Sequence, residues 1–329
     1  MQRLIWTVIA ACVMALILGP IVIPWLKKLK LGKVMYELGP DHAAKAGTPQ
    51  MGGIIFALPA LIAAVAFSYK ENWGLLAMCL VSALGFGLIG FVDDFIKVKL
   101  KRSLGLTPKQ KLIPQIVLSI GLACWAYFNP NIGSRLIVPF ANVEWNLGWF
   151  YIPVMAFILV GTTNSANLLD GLDGLLGGCA LFDFVTMALI CVALAAADLA
   201  NSVSLLNVAI FGGAMAGGLI GFLRYNSHPA RVFMGDVGSF FIGGALVGMT
   251  TVTRLSLLLP IIALAMVMSS VSDLIQFAYF RATHGKRFFR MAPLHHHFEK
   301  GGMPETSIVA MYYIVTVMLC LVALLGFVA

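Results

Sequence analysis

The sequence predicts an all-α polytopic membrane protein, and three observations carry that expectation. Hydrophobic residues fill 60% of the 329 positions and charged residues 11%, with a mean hydropathy of +0.94, against roughly 25% charged residues in soluble domains. Apolar runs recur at about the 17 to 25 residues that a spanning helix needs. None shows the dyad alternation of a membrane barrel, so the spans are expected to be helices.

Taken in order, the first run covers about 4–26 and is followed by Lys27, Lys28, Lys30 and Lys33. A cleavable leader carries its positive charge ahead of a shorter apolar region, so this run is expected to be a first span. Further spans are expected at about 52–69, 73–92, 112–128, 149–166, 175–197, 204–222, 237–253, 256–280 and 306–328, about ten in all. An even number places both termini on one side.

The basic residues choose that side. Segments 27–51, 97–111, 223–236 and 281–305 carry 5, 6, 2 and 5 of them, 18 of the 22, while Arg3, Lys70, Arg135 and Arg254 fall at the opposite ends of the spans. The positive-inside rule then puts these segments in the cytoplasm and both termini outside. The net charge of +8 is therefore a topology signal and an attraction for anionic membrane lipid. No basic patch interleaved with aromatics points to a nucleic-acid partner.

Within the one sizeable outer loop, about 129–148, residues 134–140 and 143–149 are short β-branched and aromatic runs around Ala141 and Asn142. They suggest a small β-hairpin at the outer interface, with Pro139 confining its strand to an edge. The cysteines Cys12, Cys79, Cys124, Cys179, Cys191 and Cys320 form no C-x-x-C pair and are expected to be packing residues. No repeat, low-complexity tract or soluble segment divides residues 1–329, which are expected to form one membrane domain.

The inner loops hold the unusual residues. Gly90-Phe91-Val92-Asp93-Asp94-Phe95-Ile96-Lys97 ends an apolar span in two adjacent carboxylates. Neighbouring acids at a membrane boundary repel each other and lose hydration, so they need a cation, a proton or a chemical task. Lys97 follows them by one helical turn and could simply pair with them, and an inside flank accounts for Lys99, Lys101, Arg102, Lys109 and Lys111. Close carboxylates flanked by lysines also suit magnesium and phosphate, because magnesium takes one or two carboxylates and leaves its other positions to water and phosphate oxygens.

The stretch Asn164-Ser165-Ala166-Asn167-Leu168-Leu169-Asp170-Gly171-Leu172-Asp173-Gly174 contains no basic residue. Asn164, Asn167, Asp170, Asp173 or Gly174, and Gly178 share one helical face at spacings of three or four. Such a stripe between two spans must face a wet cavity or a ligand. Asn226 and Arg231 precede Gly235-Asp236-Val237-Gly238-Ser239, where Asp236 could act as a helix cap. Lys45, Gly47, Thr48 and Pro49 lead to Met51-Gly52-Gly53, read either as a plain turn or as a helix start whose amides favour an anion. In Pro293-Leu294-His295-His296-His297-Phe298-Glu299, consecutive side chains diverge, so hydrogen bonds to phosphate or sugar fit better than a zinc face.

In this order, Phe91-Val92-Asp93-Asp94, the 167–174 stretch, Met234-Gly235-Asp236-Val237-Gly238-Ser239 and the histidine segment resemble the polyprenyl-phosphate hexosamine-1-phosphate transferases. The triple histidine and the 47–53 loop are similar to the phospho-N-acetylmuramoyl-pentapeptide transferase branch. The resemblance covers almost the whole chain. It implies transfer from UDP-N-acetylmuramoyl-pentapeptide to undecaprenyl phosphate, giving lipid I and UMP, with magnesium, at the cytoplasmic face of a bacterial plasma membrane.

Carried over residue by residue, the resemblance makes Asp93, Asp94, Asp236 and His295 catalytic. Asp236 is the expected magnesium ligand, with Asp93 and Asp94 open to joining it. Lys45, Thr48, Lys97, Lys109, Asn164, Asn167, Asp170, Asp173, Gly174, Asn226, His296 and His297 are expected to bind substrate. A homodimer is left open. Gln50 stands where the family commonly has threonine, and the acid expected near Ser269 is missing, with Asp273 one turn later on the same face.

Two alternatives are weighed against this reading. An N-acetylglucosamine-1-phosphate transferase of the same superfamily would usually carry an interrupted histidine motif. An ion-coupled carrier would hold its acids near the bilayer midplane in broken helices, and here only Asp183 and Asp273 lie within the expected spans.

Overall fold

The computed structural model describes residues 1–29, 47–99, 105–141 and 143–326, so Lys45 lies outside the described residues. In chain order the elements are α1 (Gln2–Lys28), α2 (Ile54–Phe67), α3 (Gly74–Lys99), α4 (Pro108–Phe128), β1 (Arg135–Val138), β2 (Val143–Asn146), α5 (Tyr151–Leu169), α6 (Leu175–Ala197), α7 (Ser202–Asn226), α8 (Gly235–Val252), α9 (Leu259–Ile262), α10 (Leu264–Ala282), α11 (Leu294–Glu299) and α12 (Glu305–Leu325). Among the described residues, eight helices (α1, α3 to α8 and α12) are long and apolar enough to cross a bilayer. The chain is a multi-pass helical membrane protein.

Two of the ten expected spans take another form. Helix α2 has 14 residues, about 21 Å at 1.5 Å per residue, short of the roughly 30 Å hydrocarbon core. The run expected as a single span at 256–280 breaks at Ala263, whose φ of −101° and ψ of 32° leave the helical region, and the two pieces meet at 86°. Counted as one bent span, that pair brings the total among the described residues to nine. The break leaves α10 amphipathic. Ala265, Met266, Ser269 and Ser272 are buried along one side, while Leu274, Phe277 and Phe280 are exposed.

Local chemistry also moves two helix ends. Helix α3 runs past Asp93 and Asp94 to Lys99, so both acids sit inside its last turns. Helix α4 starts at Pro108 rather than near 112, because Thr107 and Gln110 form a reciprocal capping box and proline suits the first helical turn. That start places Lys109 and Lys111 on a helix, two positions and about 200° apart, so they point different ways.

Helices α7 and α8 are almost wholly enclosed. Helix α7 packs on α1, α2 and α6, and α8 packs on α3 and α5. Membrane helices approach closely where small residues meet, and the α3–α8 crossing depends on one such position. A Cβ at Gly90 would run into the Asp236 carbonyl and the Val237 amide of α8, the latter only 2.8 Å away. That contact sets Asp93 and Asp94, one turn further on, beside the start of α8.

The expected hairpin is present. Strands β1 and β2 pair antiparallel with Leu136 opposite Trp145 and Ile137 opposite Glu144, and Pro139 lies just past β1. Arg135 and Arg254 reach the Glu144 carboxylate at 3.0 and 2.9 Å. The Arg135 hydrogen bond, with the Arg254 charge behind it, holds the Glu144 carboxyl below its ordinary range. Trp145, Trp149 and Phe150 are exposed, as suits rings at a membrane interface.

Gly90→Ala is expected to lower stability by about 1–3 kcal/mol through overpacking at the α3–α8 crossing, read as a lower melting temperature in detergent. Gly121→Ala in α4, where an added Cβ meets nothing within 4 Å, serves as the control and should hold or raise it. Equal melting temperatures for both variants would show that the close crossing is not needed.

Candidate active site

Three carboxylates converge where α3, α4 and α8 end on the same side of the bundle. Asp93 and Asp94 are each 2% exposed. Asp236, the second residue of α8, joins them, and one oxygen from each of the three lies within 4.8 Å of the others. Asp94 Oδ2 accepts the Val237 amide at 3.0 Å, so it also satisfies a free amide of the α8 start. Asp93 Oδ1 accepts the Leu106 amide at 2.8 Å and ties the chain that leads into α4.

Two lysines hold the acids together. Lys97 Nζ lies 2.6 Å from Asp93 Oδ2, 3.5 Å from Asp94 Oδ1 and 2.9 Å from Asp236 Oδ2. Lys111 Nζ lies 2.6 Å from Asp236 Oδ2, 3.8 Å from Asp93 Oδ2, and 4.7 Å above the centre of the Phe240 ring. At an effective dielectric of about 20, carboxylates this close repel by about 3–4 kcal/mol per pair. Five lysine–carboxylate contacts within 4 Å offset that repulsion. Three carboxylates against two ammonium groups still leave one formal negative charge.

The donor set suits a hard divalent cation, since every candidate ligand is a carboxylate oxygen. Asp93 Oδ2 is fully buried and, among the described residues, has no hydrogen-bond partner. Lys97 Nζ pairs with it as an ion at 2.6 Å.

The expected polar residues divide into those the fold brings to this cluster and those it does not. Asn167 donates to Asp236 Oδ1 at 2.8 Å and to Ser239 Oγ at 2.9 Å. Asn164, one turn earlier, instead donates to Gln115 Oε1 at 2.6 Å and to its own helix at Val160. Lys109 is exposed, whereas Lys111 reaches the acids. The signal for Lys111 was the Thr107-Pro108-Lys109-Gln110 capping sequence, which fixes the helical phase of α4. Thr48 is half-buried in the segment that lies along the entry to α8, where Phe233 donates to the Pro49 carbonyl at 2.8 Å. The Gly52 and Gly53 amides donate to the Phe233 and Met234 carbonyls, so they pair this segment with the entry to α8 and are not open to an anion.

A second polar group surrounds residues 170–174. Asp170 is half-exposed, and Asp173 is 4% exposed. Gly174 donates its amide to Asn226 Oδ1 at 3.2 Å, and Asn226 donates to the Val232 carbonyl at 3.0 Å, so this buried asparagine ties two loops. His295, read from the sequence as catalytic, is fully buried, and neither of its ring nitrogens has a hydrogen-bond partner among the described residues. Burial, helped by the neighbouring His296, pushes its pKa down to about 3, so the ring is neutral. It packs against Gly171, where a Cβ would strike Nε2. His296 Nδ1 faces Glu299 at 2.8 Å, and His297 Nδ1 accepts the Arg290 amide at 3.1 Å. Asp273 is half-buried on α10, with no hydrogen bond or ion pair among the described residues, and the position expected to be acidic is the buried Ser269.

The His295–Gly171 contact makes a direct prediction. Gly171→Ala and His295→Ala should each lower the melting temperature, and the double variant should be more stable than the sum of the two by about 1 kcal/mol or more. Additive losses would show that the two residues do not share a contact.

Residues 75–254 match the model of the family described as glycosyl transferase family 4. The chain is 43% identical to the phospho-N-acetylmuramoyl-pentapeptide-transferase of Desulfitobacterium hafniense, over 100% of this chain and 98% of that protein. It is 44% identical to the enzyme of the same name from Clostridioides difficile, over 98% of each. With the protein of that name from a Thermoanaerobacter species it shares 44% identity over 96% of each. The chain belongs to glycosyl transferase family 4 and, within it, to the phospho-N-acetylmuramoyl-pentapeptide-transferases.

Proposed function

We propose that the chain transfers phospho-N-acetylmuramoyl-pentapeptide from UDP-N-acetylmuramoyl-pentapeptide to undecaprenyl phosphate, giving lipid I and UMP for peptidoglycan synthesis. The observation that carries this reading is the cluster of Asp93, Asp94 and Asp236 held by Lys97 and Lys111 at the ends of membrane helices. One substrate is a lipid whose phosphate lies at the membrane interface and the other is a water-soluble nucleotide. A site at helix ends is where the two can meet.

The chemistry is phosphoryl transfer. An oxygen of the lipid phosphate attacks the β-phosphorus of the nucleotide sugar, and the bond from that phosphorus to the bridging oxygen breaks, releasing UMP. The second pKa of a phosphate monoester is near 6, so the attacking group is already largely dianionic at neutral pH. Asp93 takes any residual proton and orients the lipid phosphate. Lys97 and Lys111 attract both phosphate groups and neutralise charge as it moves to the leaving group. Asp236, with Asp93 and Asp94, would hold Mg²⁺, which when bound neutralises the diphosphate oxygens. Asn167 keeps Asp236 oriented through its 2.8 Å hydrogen bond. Asp170, Asp173, Gly174, His296 and His297 serve the nucleotide-sugar side, where carboxylates and imidazoles can accept N–H and O–H groups.

The test is UMP release by the purified protein, which should require both substrates and Mg²⁺. Asp236→Asn and Lys111→Met should each lower the rate by about 10² or more, in line with loss of a transition-state charge contact, while the exposed Lys109→Met should stay near wild type. Release from the nucleotide sugar without lipid phosphate, or wild-type rates in Asp236→Asn, would sink the reading.

The site is oriented to the cytoplasm of a bacterial plasma membrane. The support is the sequence pattern, in which the segments expected to be cytoplasmic carry 18 of the 22 basic residues, and Asp93, Asp94 and Asp236 border two of those segments. A cysteine introduced at the exposed Ser227 should stay unmodified by an impermeant thiol reagent in intact cells and react after lysis. Modification in intact cells would reverse the orientation.

A further inference from the structure

The loop 170–174 between α5 and α6 is built by side chains from distant parts of the chain. The Asp173 amide donates to Glu305 Oε1 at 2.7 Å, and the Tyr313 hydroxyl donates to the Gly174 carbonyl at 2.7 Å. Asp173 Oδ2 accepts the Ala230 amide at 3.0 Å. His228 Nδ1 lies 3.3 Å from that same oxygen and 3.4 Å from Glu305 Oε2. An imidazole N–H between two carboxylates reduces their mutual repulsion, so these three side chains stand together where any two acids alone would push apart.

Glu305 is also where two segments of the site are brought into register. It is the first residue of α12, and residues 300–304 join it to the histidine helix α11. One side of this short link therefore carries His295, which packs on Gly171, and the other carries Glu305, which holds Asp173. The loop is gripped at both ends. At its start the Asp170 amide donates to the Asn167 carbonyl at 3.3 Å, and Asn167 in turn donates to Asp236.

We propose that Glu305 and His228 are positioning residues for the nucleotide-sugar half of the site, setting loop 170–174 against the histidine segment and at a fixed distance from Asp236. The proposal rests on the transferase reading above. The loop carries Asp170 and Asp173 and no cation, so it repels phosphate and suits the nucleobase and sugar groups that donate hydrogen bonds. The phosphates belong with Lys97 and Lys111, which these two residues do not touch. Disturbing Glu305 or His228 should therefore weaken capture of the nucleotide sugar and spare the chemical step.

The experiment measures initial rates of UMP release with the nucleotide sugar and undecaprenyl phosphate varied in turn. Loss of one well-placed acceptor weakens binding by about tenfold. Glu305→Ala should raise KM for UDP-N-acetylmuramoyl-pentapeptide by about that factor, with kcat changed less than about threefold and KM for undecaprenyl phosphate unmoved. Glu305→Gln keeps an oxygen that accepts the Asp173 amide and should restore most of that KM. His228→Ala, at a side chain 44% exposed, should raise the same KM by a smaller factor. The proposal fails if kcat falls alone, if both KM values rise together, or if Glu305→Gln is as defective as Glu305→Ala. Should Glu305→Ala not fold, an unchanged nucleotide-sugar KM in His228→Ala overturns it by itself. A wild-type protein that releases no UMP overturns the transferase reading instead, so the two failures are distinct.

Discussion

Three carboxylates within 4.8 Å of one another, two of them buried, are the constraint on which the rest of this structure depends. Such a cluster cannot form from helices brought together by apolar packing alone, because each pair of like charges opposes it. Lys97, one turn beyond Asp93 and Asp94 on the same helix, supplies one counter-charge locally. Lys111 supplies the other from α4 and reaches Asp236 across the gap at 2.6 Å. The residual formal negative charge and three convergent carboxylate oxygens mean that the cluster could hold a cation as well as act as a structural ion pair.

The same constraint explains the tight crossing of α3 and α8. Gly90 lets the two backbones meet, and Asp94 then reaches the Val237 amide as well as Lys97. A helix start in a membrane protein must satisfy its free amides without help from water. Here a carboxylate does so from a neighbouring helix, which ties the α8 terminus and the charge cluster into one unit.

Away from the cluster, the inner ends of the helices follow a common rule. Buried non-helical backbone persists only where its polar groups find partners. Asn226, Glu305 and Tyr313 provide them for residues 173–174, while the Gly52 and Gly53 amides are paired by the backbone carbonyls of Phe233 and Met234. Several polar residues that read as ligand-binding in the sequence also make contacts that build the loops around the site. His295 is the clearest case, a neutral ring buried against Gly171 in place of an exposed acid or base.

Hydrophobic run length and the order of the acidic, asparagine-rich and histidine-rich segments were enough to identify a helical membrane protein and its family, because each signal is local in the chain. The hairpin was legible for the same reason, from two short β-branched runs around a turn. The break at Ala263 was not, since an apolar run looks alike whether it crosses straight or turns by 86°. Nor did charge alone distinguish Lys109 from Lys111; the distinction follows from where Thr107 and Gln110 begin α4, and from which face of that helix meets α8. The tertiary structure alone decided which polar side chains meet the acids and which hold loops in place. Sequence spacing fixes the face of one helix, but only packing decides what that face touches.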